Sequence, residues 1–325
     1  MALGAFNAYF RHRTRTSGVR FTHRLTRVIA LSLLLFISLA AVAARPGTIK
    51  EVVYVVSDET EAPLTVVNTF QARLPAPLIR VDGTRRTQSA KPPGLYIAIG
   101  KTALHALLQR DDATPILSLL VPSATYYQEF DSARDTHKGV VSAIFPDPSP
   151  KDQIKLIQLI FGRTAVISVP LSEKNGSFVP LLESLAATDR AKLHIEIVTK
   201  EETVFSAIGD AKANSVLLAL PDGDLYNART IRNALLSSYR RGLPIVGYSA
   251  SMVRAGSLAS VTSSIEDIAA QLGEVLDEFQ VTGSIPQPEF PRYFVVKVND
   301  SVASSLNVVV SETARKFARQ PQGAK

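Results

Sequence analysis

Apolar residues along this chain come in two rhythms, and their alternation predicts the elements. A continuous apolar run stands at Val52 to Val56, and short apolar runs recur at Leu78 to Val81, Leu95 to Ile99, Ile116 to Val121, Val140 to Phe145, Ala165 to Val169, Leu193 to Val198, Val216 to Leu220 and Ile245 to Tyr248. A run without polar alternation is expected of a parallel strand covered on both faces. Between most of these runs the apolar residues return at one-turn spacing instead. Leu64 to Leu74 reads as a helix, as do the stretches carrying Ile154, Ile157 and Ile160, and Ile231, Leu235 and Tyr239 before the stop signals Gly242 and Pro244. The longest stripe, Ile265, Ile268, Leu272, Val275, Leu276 and Phe279, opens at Ser264, a preferred N-cap residue. Strands alternating with helices predict βαβ units, hence an α/β fold with parallel sheets.

Nine such strands are many for one open layer and fit two half-size sheets better. Three prolines in the segment Phe145-Pro146-Asp147-Pro148-Ser149-Pro150 place a first crossing between halves. A second is expected between Ser249 and Ser264, and a third over Gly283 to Pro291, stiffened by Pro286, Pro288 and Pro291. The expected architecture is two Rossmann-like lobes joined by a three-strand hinge. Lobe 1 spans residues 44–145 plus about 260–285, lobe 2 spans 146–259 plus about 286–312, and 313–325 form a C-terminal tail.

The first 43 residues read as a secretory signal peptide. Arg11, Arg13, Arg15, Arg20, Arg24 and Arg27 precede the apolar stretch Val28 to Leu39, no Asp or Glu occurs among them, and Ala41-Val42-Ala43 supplies small residues for cleavage. An uncleaved anchor is the competing reading, but roughly 12 to 16 apolar residues fall short of the ~20 needed to span a bilayer. Cleavage changes the charge balance: losing six of the 36 basic residues leaves 30 against 29 acidic, so the net charge of +7 falls to +1. That removes the electrostatic case for nucleic acid. Cysteine is absent altogether, which excludes a lipid-modified cysteine at the cut and leaves stability to packing. The expected location is the periplasm.

Ligands of parallel α/β sheets sit beyond the carboxyl ends of the strands, where helix N-termini present backbone N–H groups. Four segments qualify as site candidates. Gly100 and Thr102 follow the run Leu95 to Ile99, and Ser123, Thr125 and Tyr126 follow the next run. Asp222, Asp224, Tyr226 and Asn227 follow Val216 to Leu220, and Tyr248 with Ser249 closes Ile245 to Tyr248. Tyrosines could stack on a planar ligand, an ammonium group would want Asp222 or Asp224, and a carboxylate would want a helix N-terminus. Plainer roles compete at each position. Both aspartates also suit a turn or N-cap before a helix near Asn227. Tyr126, Tyr127 and Tyr226 also suit lobe packing, Lys101 a solvated helix start, and His105 a core or half-buried position.

No catalytic set emerges. Gly100-Lys101-Thr102 looks like the end of a phosphate-binding loop, but Leu95 stands where that loop needs glycine. Gly247-Tyr248-Ser249-Ala250-Ser251 resembles a nucleophile elbow, yet Ser251 replaces its last glycine and no histidine follows His194. The five histidines are scattered, so neither a metal site nor a cofactor is expected.

Several segments resemble, in order and spacing, a family of ABC-transporter substrate-binding proteins that includes tryptophan- and tyrosine-binding members. They are Ala98-Ile99-Gly100-Lys101-Thr102-Ala103, Thr114-Pro115-Ile116, Gly139-Val140-Val141-Ser142, Leu220-Pro221-Asp222, Leu243-Pro244-Ile245-Val246, Ala255-Gly256-Ser257-Leu258 and Val298-Asn299 with Ala303 and Leu306. The family's Asp-Pro pair and glycine are replaced here by Val121-Pro122-Ser123-Ala124-Thr125-Tyr126-Tyr127, and its Pro-Thr-Asp-Asn pattern by Pro221-Asp222-Gly223-Asp224-Leu225-Tyr226-Asn227. The resemblance implies a type I periplasmic-binding-protein fold. It also implies capture of a small molecule, an amino acid or other planar zwitterion, and delivery to a membrane ABC permease. The expectation is therefore a monomeric, non-enzymatic solute-binding protein without cofactor, metal or nucleic-acid partner. The alternative is a periplasmic sensory or envelope-assembly protein that uses the same fold without transport.

Overall fold

The continuous apolar runs assemble into two sheets rather than one. The computed structural model describes residues 52–56, 64–72, 79–82, 94–111, 113–133, 137–199, 204–212 and 215–321. The expected signal peptide lies outside these described residues. In the first sheet, strands β1 (Val52–Val56), β2 (Ile79–Asp82), β3 (Leu95–Ile99), β4 (Ile116–Leu119) and β5 (Val141–Ile144) lie in the order β2-β1-β3-β4-β5, every pair parallel. The second holds β6 (Val166–Ser172), β7 (Lys192–Val198), β8 (Ser215–Leu218), β9 (Ile245–Val246), β10 (Ala259–Thr262) and β11 (Val295–Val298) in the order β11-β10-β9-β8-β6-β7. Five of its strands repeat the order of the first sheet, and β11 adds an antiparallel edge. The molecule thus has two Rossmann-like lobes.

Burial on both faces explains the unbroken runs. Leu95, Ile97 and Ile99 pack on one side of the first sheet against Ile268, Leu272, Val275, Leu276 and Phe279 of the long helix α9 (Ile265–Thr282). Tyr96 and Ala98 pack on the other side against Leu104, Leu107 and Leu108 of helix α2 (Lys101–Leu108). Each fully buried side chain of this kind contributes about 1.5–3 kcal/mol. Helix α1 (Leu64–Gln71) completes the α9 face with Val67 and Phe70. In the second lobe, Ile167, Val169 and Leu171 face helices α4 (Pro150–Phe161) and α5 (Val179–Asp189). The opposite face is covered by α6 (Val204–Asp210), α7 (Ile231–Arg240) and α8 (Ala250–Ala255).

Two strands are absent from the apolar pattern. Ala-Ser-Val-Thr of β10 is too short and polar to register as a run, and β11 is a partly exposed edge strand. Strand β6 runs three residues past the predicted Val169 in spite of Pro170. Its pairing with β8 ends at Ser168, so the missing N–H of Pro170 breaks no bond on that side.

The chain passes between lobes three times: from β5 to α4, from β10 to α9, and from α9 through residues 283–294 to β11. Two fully buried glutamines grip these passages. Gln153, on the helix after the first crossing, donates to the Gly247 carbonyl and accepts the Val261 N–H at 2.9 Å, just before the second crossing. Gln271, on the helix after the second, donates to Phe290 O at 3.3 Å and accepts the Arg292 N–H at 2.9 Å, in the third. Glu289 also extends the first sheet, its N–H donating to Ala143 O and its carbonyl accepting Phe145 N–H. Helix α9 is itself opened by a capping box in which Ser264 and Asp267 exchange side-chain to backbone bonds.

Candidate functional site

Helix α3 (Ser123–Ala133) supplies the first lobe's wall. A buried carboxylate from the first crossing fixes its start: Asp147 accepts the Ser123 backbone N–H at 2.8 Å and also the Ser123 hydroxyl. Burial pushes the Asp147 carboxyl up to about 6, against the lowering effect of both Ser123 bonds. Tyr126 and Phe130, one turn apart, stack inward at 5.9 Å, and the Tyr126 hydroxyl donates to Val141 O. Desolvation therefore holds the Tyr126 phenol well above its ordinary value. Thr125 and Gln128 of the same helix line an open cleft.

The second lobe's wall comes from the carboxyl ends of β6, β8 and β9. Strands β6 and β8 flank the point where the strand order of that sheet reverses, the usual ligand position of such sheets. After β6, a 3₁₀ helix over Glu173–Phe178 brings Lys174 and Asn175 to the cleft. After β8, the turn Pro221 to Tyr226 is organised by Asp222. Its carboxylate, 3 % exposed, accepts backbone N–H groups of Ser172 at 2.8 Å, Asp224 at 3.1 Å and Leu225 at 3.3 Å. That tie fastens the end of β6 to the turn. Asp224 instead reaches out and pairs with Lys174 at 2.9 Å, and the pairing raises the lysine's pKa. Tyr226 and Tyr248 close the floor with ring centroids 6.2 Å apart. Burial, then the Asp222 charge, pushes both phenols up. The cleft holds about 300 Å³ and is lined from both lobes.

Of the residues singled out from sequence, the structure brings Thr125, Asp222, Asp224, Tyr226 and Tyr248 together on this cleft. Ser123 and Tyr126 are buried beneath the wall, bonded to Asp147 and packed in the core. Tyr127 meets Phe145 and Phe178 rather than the cleft. Asn227 folds back on its own turn, donating from its side chain to Gly223 O and accepting the Arg229 N–H. Ser249 caps α8 by accepting the Met252 N–H at 3.1 Å. Gly100 adopts φ 95° before α2 and donates its N–H to Leu119 O, while Thr102 is exposed on that helix. Neither residue lines the cleft. Lys101 and His105 both bond Glu129, at 3.2 and 2.8 Å, so His105 lies on the surface rather than in the core. Ser172, Lys174, Asn175 and Gln128 were not read from sequence as site residues. For the first three the signal is the strand end, hidden by Pro170 and by a polar Glu-Lys-Asn-Gly-Ser stretch, whereas Gln128 lies one turn beyond Thr125 on helix α3.

The lobes touch along one rim of the cleft. Gln128 donates to the Asn175 side chain at 3.3 Å, and the Tyr127 and Phe178 rings meet edge to face at 6.2 Å. Two lobes of identical strand order, three crossings and a cleft at the strand ends decide the fold. It is that of the type I periplasmic binding proteins. Among solved structures of this fold, an ABC domain in complex with L-Trp from Streptococcus pneumonia aligns with 83 % of this chain and 98 % of its own (TM-score 0.53, 16 % identity). The ligand-free, open structure of a substrate binding protein with adhesive properties from Clostridium difficile aligns over 83 % and 99 % (TM-score 0.58, 14 % identity). A conserved domain protein from Vibrio cholerae aligns over 82 % and 97 % (TM-score 0.53, 18 % identity). No family model and no curated protein matches the chain. Among the described residues of this periplasmic-binding-protein fold, no helix is long and apolar enough to cross a membrane. No group of three His, Cys, Asp or Glu among them is placed to hold a metal ion.

Proposed function

We propose that the protein is an exported solute-binding protein, not an enzyme, that closes two lobes on a small molecule and delivers it to a membrane ABC permease. The observation that carries this reading is the cleft itself. Polar groups from both lobes, Thr125 and Gln128 on one side and Lys174, Asp224 and Tyr248 on the other, face one space at the strand ends. A molecule bridging them gains contacts from both walls only when the lobes are together, so binding shifts the population toward the closed form. An arginine-rich leader followed by a short apolar segment supports export to the periplasm. The ligand expected from the aromatic floor and the paired charges is an amino acid or other planar zwitterion, taken up by a monomer. The fold shared with a protein solved with L-Trp supports an amino-acid-like guest.

Native mass spectrometry of gently purified protein, followed by calorimetry on whatever is retained, tests this reading. The expected result is one small molecule bound per chain with 1:1 stoichiometry. A chain that carries nothing and shows no heat with amino acids, peptides or sugars would refute it.

A further inference from the structure

The interlobe cleft is not the only cavity at this place. A second, of about 270 Å³, enters the second lobe along the ends of β6 and β7, past Val198, Thr199 and Leu225. The two share Ser172, Lys174 and Asp224. We infer that the Lys174–Asp224 ion pair is a gate between two chambers, and that the guest is an extended zwitterion of dipeptide size that splits the pair and lies across both. The inference rests on the solute-binding reading above and specifies its ligand class.

Three observations support it. The pair is about half exposed, with 60 % and 49 % of the two side chains accessible, and ion pairs of that kind are held weakly and exchange readily. Ser172, 5 % exposed, has a hydroxyl with no hydrogen-bond partner among the described residues. Such an orphan is costly in a folded protein and is satisfied by a polar group arriving at the shared wall. The adjacent carboxylate of Asp222 is already engaged by three backbone N–H groups, and Glu173 lines the second chamber alone, so Asp224 is the acidic group common to both chambers that is available to a cation. A guest of single charge would leave either Lys174 or Asp224 unpaired as the lobes close. A neutral guest would leave the gate shut. A zwitterion replaces both partners, its anionic group meeting Lys174 and Ser172 and its ammonium meeting Asp224. Each chamber alone lies at or below the lower end of ordinary ligand sites, about 300–1,000 Å³, whereas the two together sit within that range.

Calorimetry with L-tyrosine, L-alanyl-L-tyrosine and its N-acetylated, amidated form tests the gate on wild-type protein, Lys174→Met and Asp224→Asn. The zwitterionic dipeptide should bind wild type at least tenfold more tightly than either other probe. Each variant should lose at least tenfold in dipeptide affinity with an unchanged melting temperature. Equal affinity for L-tyrosine and the dipeptide, or a dipeptide affinity indifferent to both substitutions, would overturn the inference while leaving solute binding intact. So would a retained native ligand that is neutral or singly charged. Wild-type protein that binds no probe and retains no small molecule would overturn the solute-binding reading itself.

Discussion

At the scale of single residues, the two aspartates of the second-lobe turn separate into different jobs. Both occur in one short polar stretch, Pro221-Asp222-Gly223-Asp224, and the sequence offers no means of telling them apart. Burial does. Asp222 is 3 % exposed and holds three backbone donors, so Asp222→Ala leaves those donors without their acceptor, two of them in buried surroundings. The expected loss is about 3 kcal/mol, read as a lower urea midpoint with an unchanged slope. Asp224, exposed and paired only with Lys174, should tolerate the same change with no measurable shift in midpoint. Equal midpoints for the two variants would show that the turn does not depend on Asp222. The aromatic candidates divide in the same way. Tyr226 and Tyr248 form the cleft floor, whereas Tyr126 is spent on the core, because its helical partner Phe130 and the β5 carbonyl of Val141 lie inward.

At the scale of elements, helix α3 couples the first crossing to the cleft. Its first turn is held by Asp147, and two of its residues, Thr125 and Gln128, line the site. The titratable group facing Asp147 is the Tyr127 phenol, whose own pKa is raised by burial and by the Asp147 charge. Burial pushes the Asp147 carboxyl up to about 6 from an ordinary 3.8, so folding favours the protonated form. That contribution is complete below pH 3.8 and is lost as pH rises through 6. Across the window the loss is about 3 kcal/mol. Asp147→Asn keeps an acceptor for Ser123 and removes the titration. Urea unfolding of both proteins between pH 4 and 8 should show wild-type stability falling relative to the variant as pH rises. A difference that stays constant over that range would place the Asp147 titration elsewhere. The elements themselves were largely legible: an inner strand such as β3, buried throughout, is apolar throughout, the edge strand β7 shows the Leu193-His194-Ile195-Glu196-Ile197 alternation instead, and all nine runs appear as strands in the two sheets. What the pattern could not carry was anything governed by neighbours in space. Strand β10 is short and polar, β11 pairs only at an edge, and the 3₁₀ helix after β6 bears Lys174 in a stretch with no apolar period. Thr125, Asp222, Asp224, Tyr226 and Tyr248 were reachable because they follow strands that the pattern marks, whereas Ser172 and Lys174 follow one whose end Pro170 conceals.

At the scale of the whole molecule, the lobes are linked by more than their three crossings. Gln153 and Gln271 each tie a helix that follows one crossing to backbone at or near the next. Arg292 adds charged bonds to Glu289 and Glu274, and Arg319 returns from the C-terminal segment to donate to Arg292 O and lie over the Phe294 ring at 4.8 Å. In the closing motion proposed above, these bonds locate the hinge, whereas the rim contacts hold the lobes shut. Only two side-chain contacts described above hold the rim, Gln128 with Asn175 and Tyr127 with Phe178. An aromatic pair contributes about 0.5–1.5 kcal/mol and a hydrogen bond about 1 kcal/mol, so together they bias the lobes toward closure by a margin that mutation can reverse. Replacing both, Asn175→Ala with Phe178→Ala, should open the unliganded protein and raise its radius of gyration in small-angle scattering. Since a guest that bridges both walls binds the closed form, its apparent affinity falls by the fraction of closed molecules lost, about tenfold for a bias of this size. Saturating ligand should then return the variant to the wild-type radius, because closure is weakened and not abolished. A radius that is unchanged without ligand would mean that the hinge itself, through its buried glutamines and Arg319, holds the lobes together, and substitution at Gln271 would be the change that opens them.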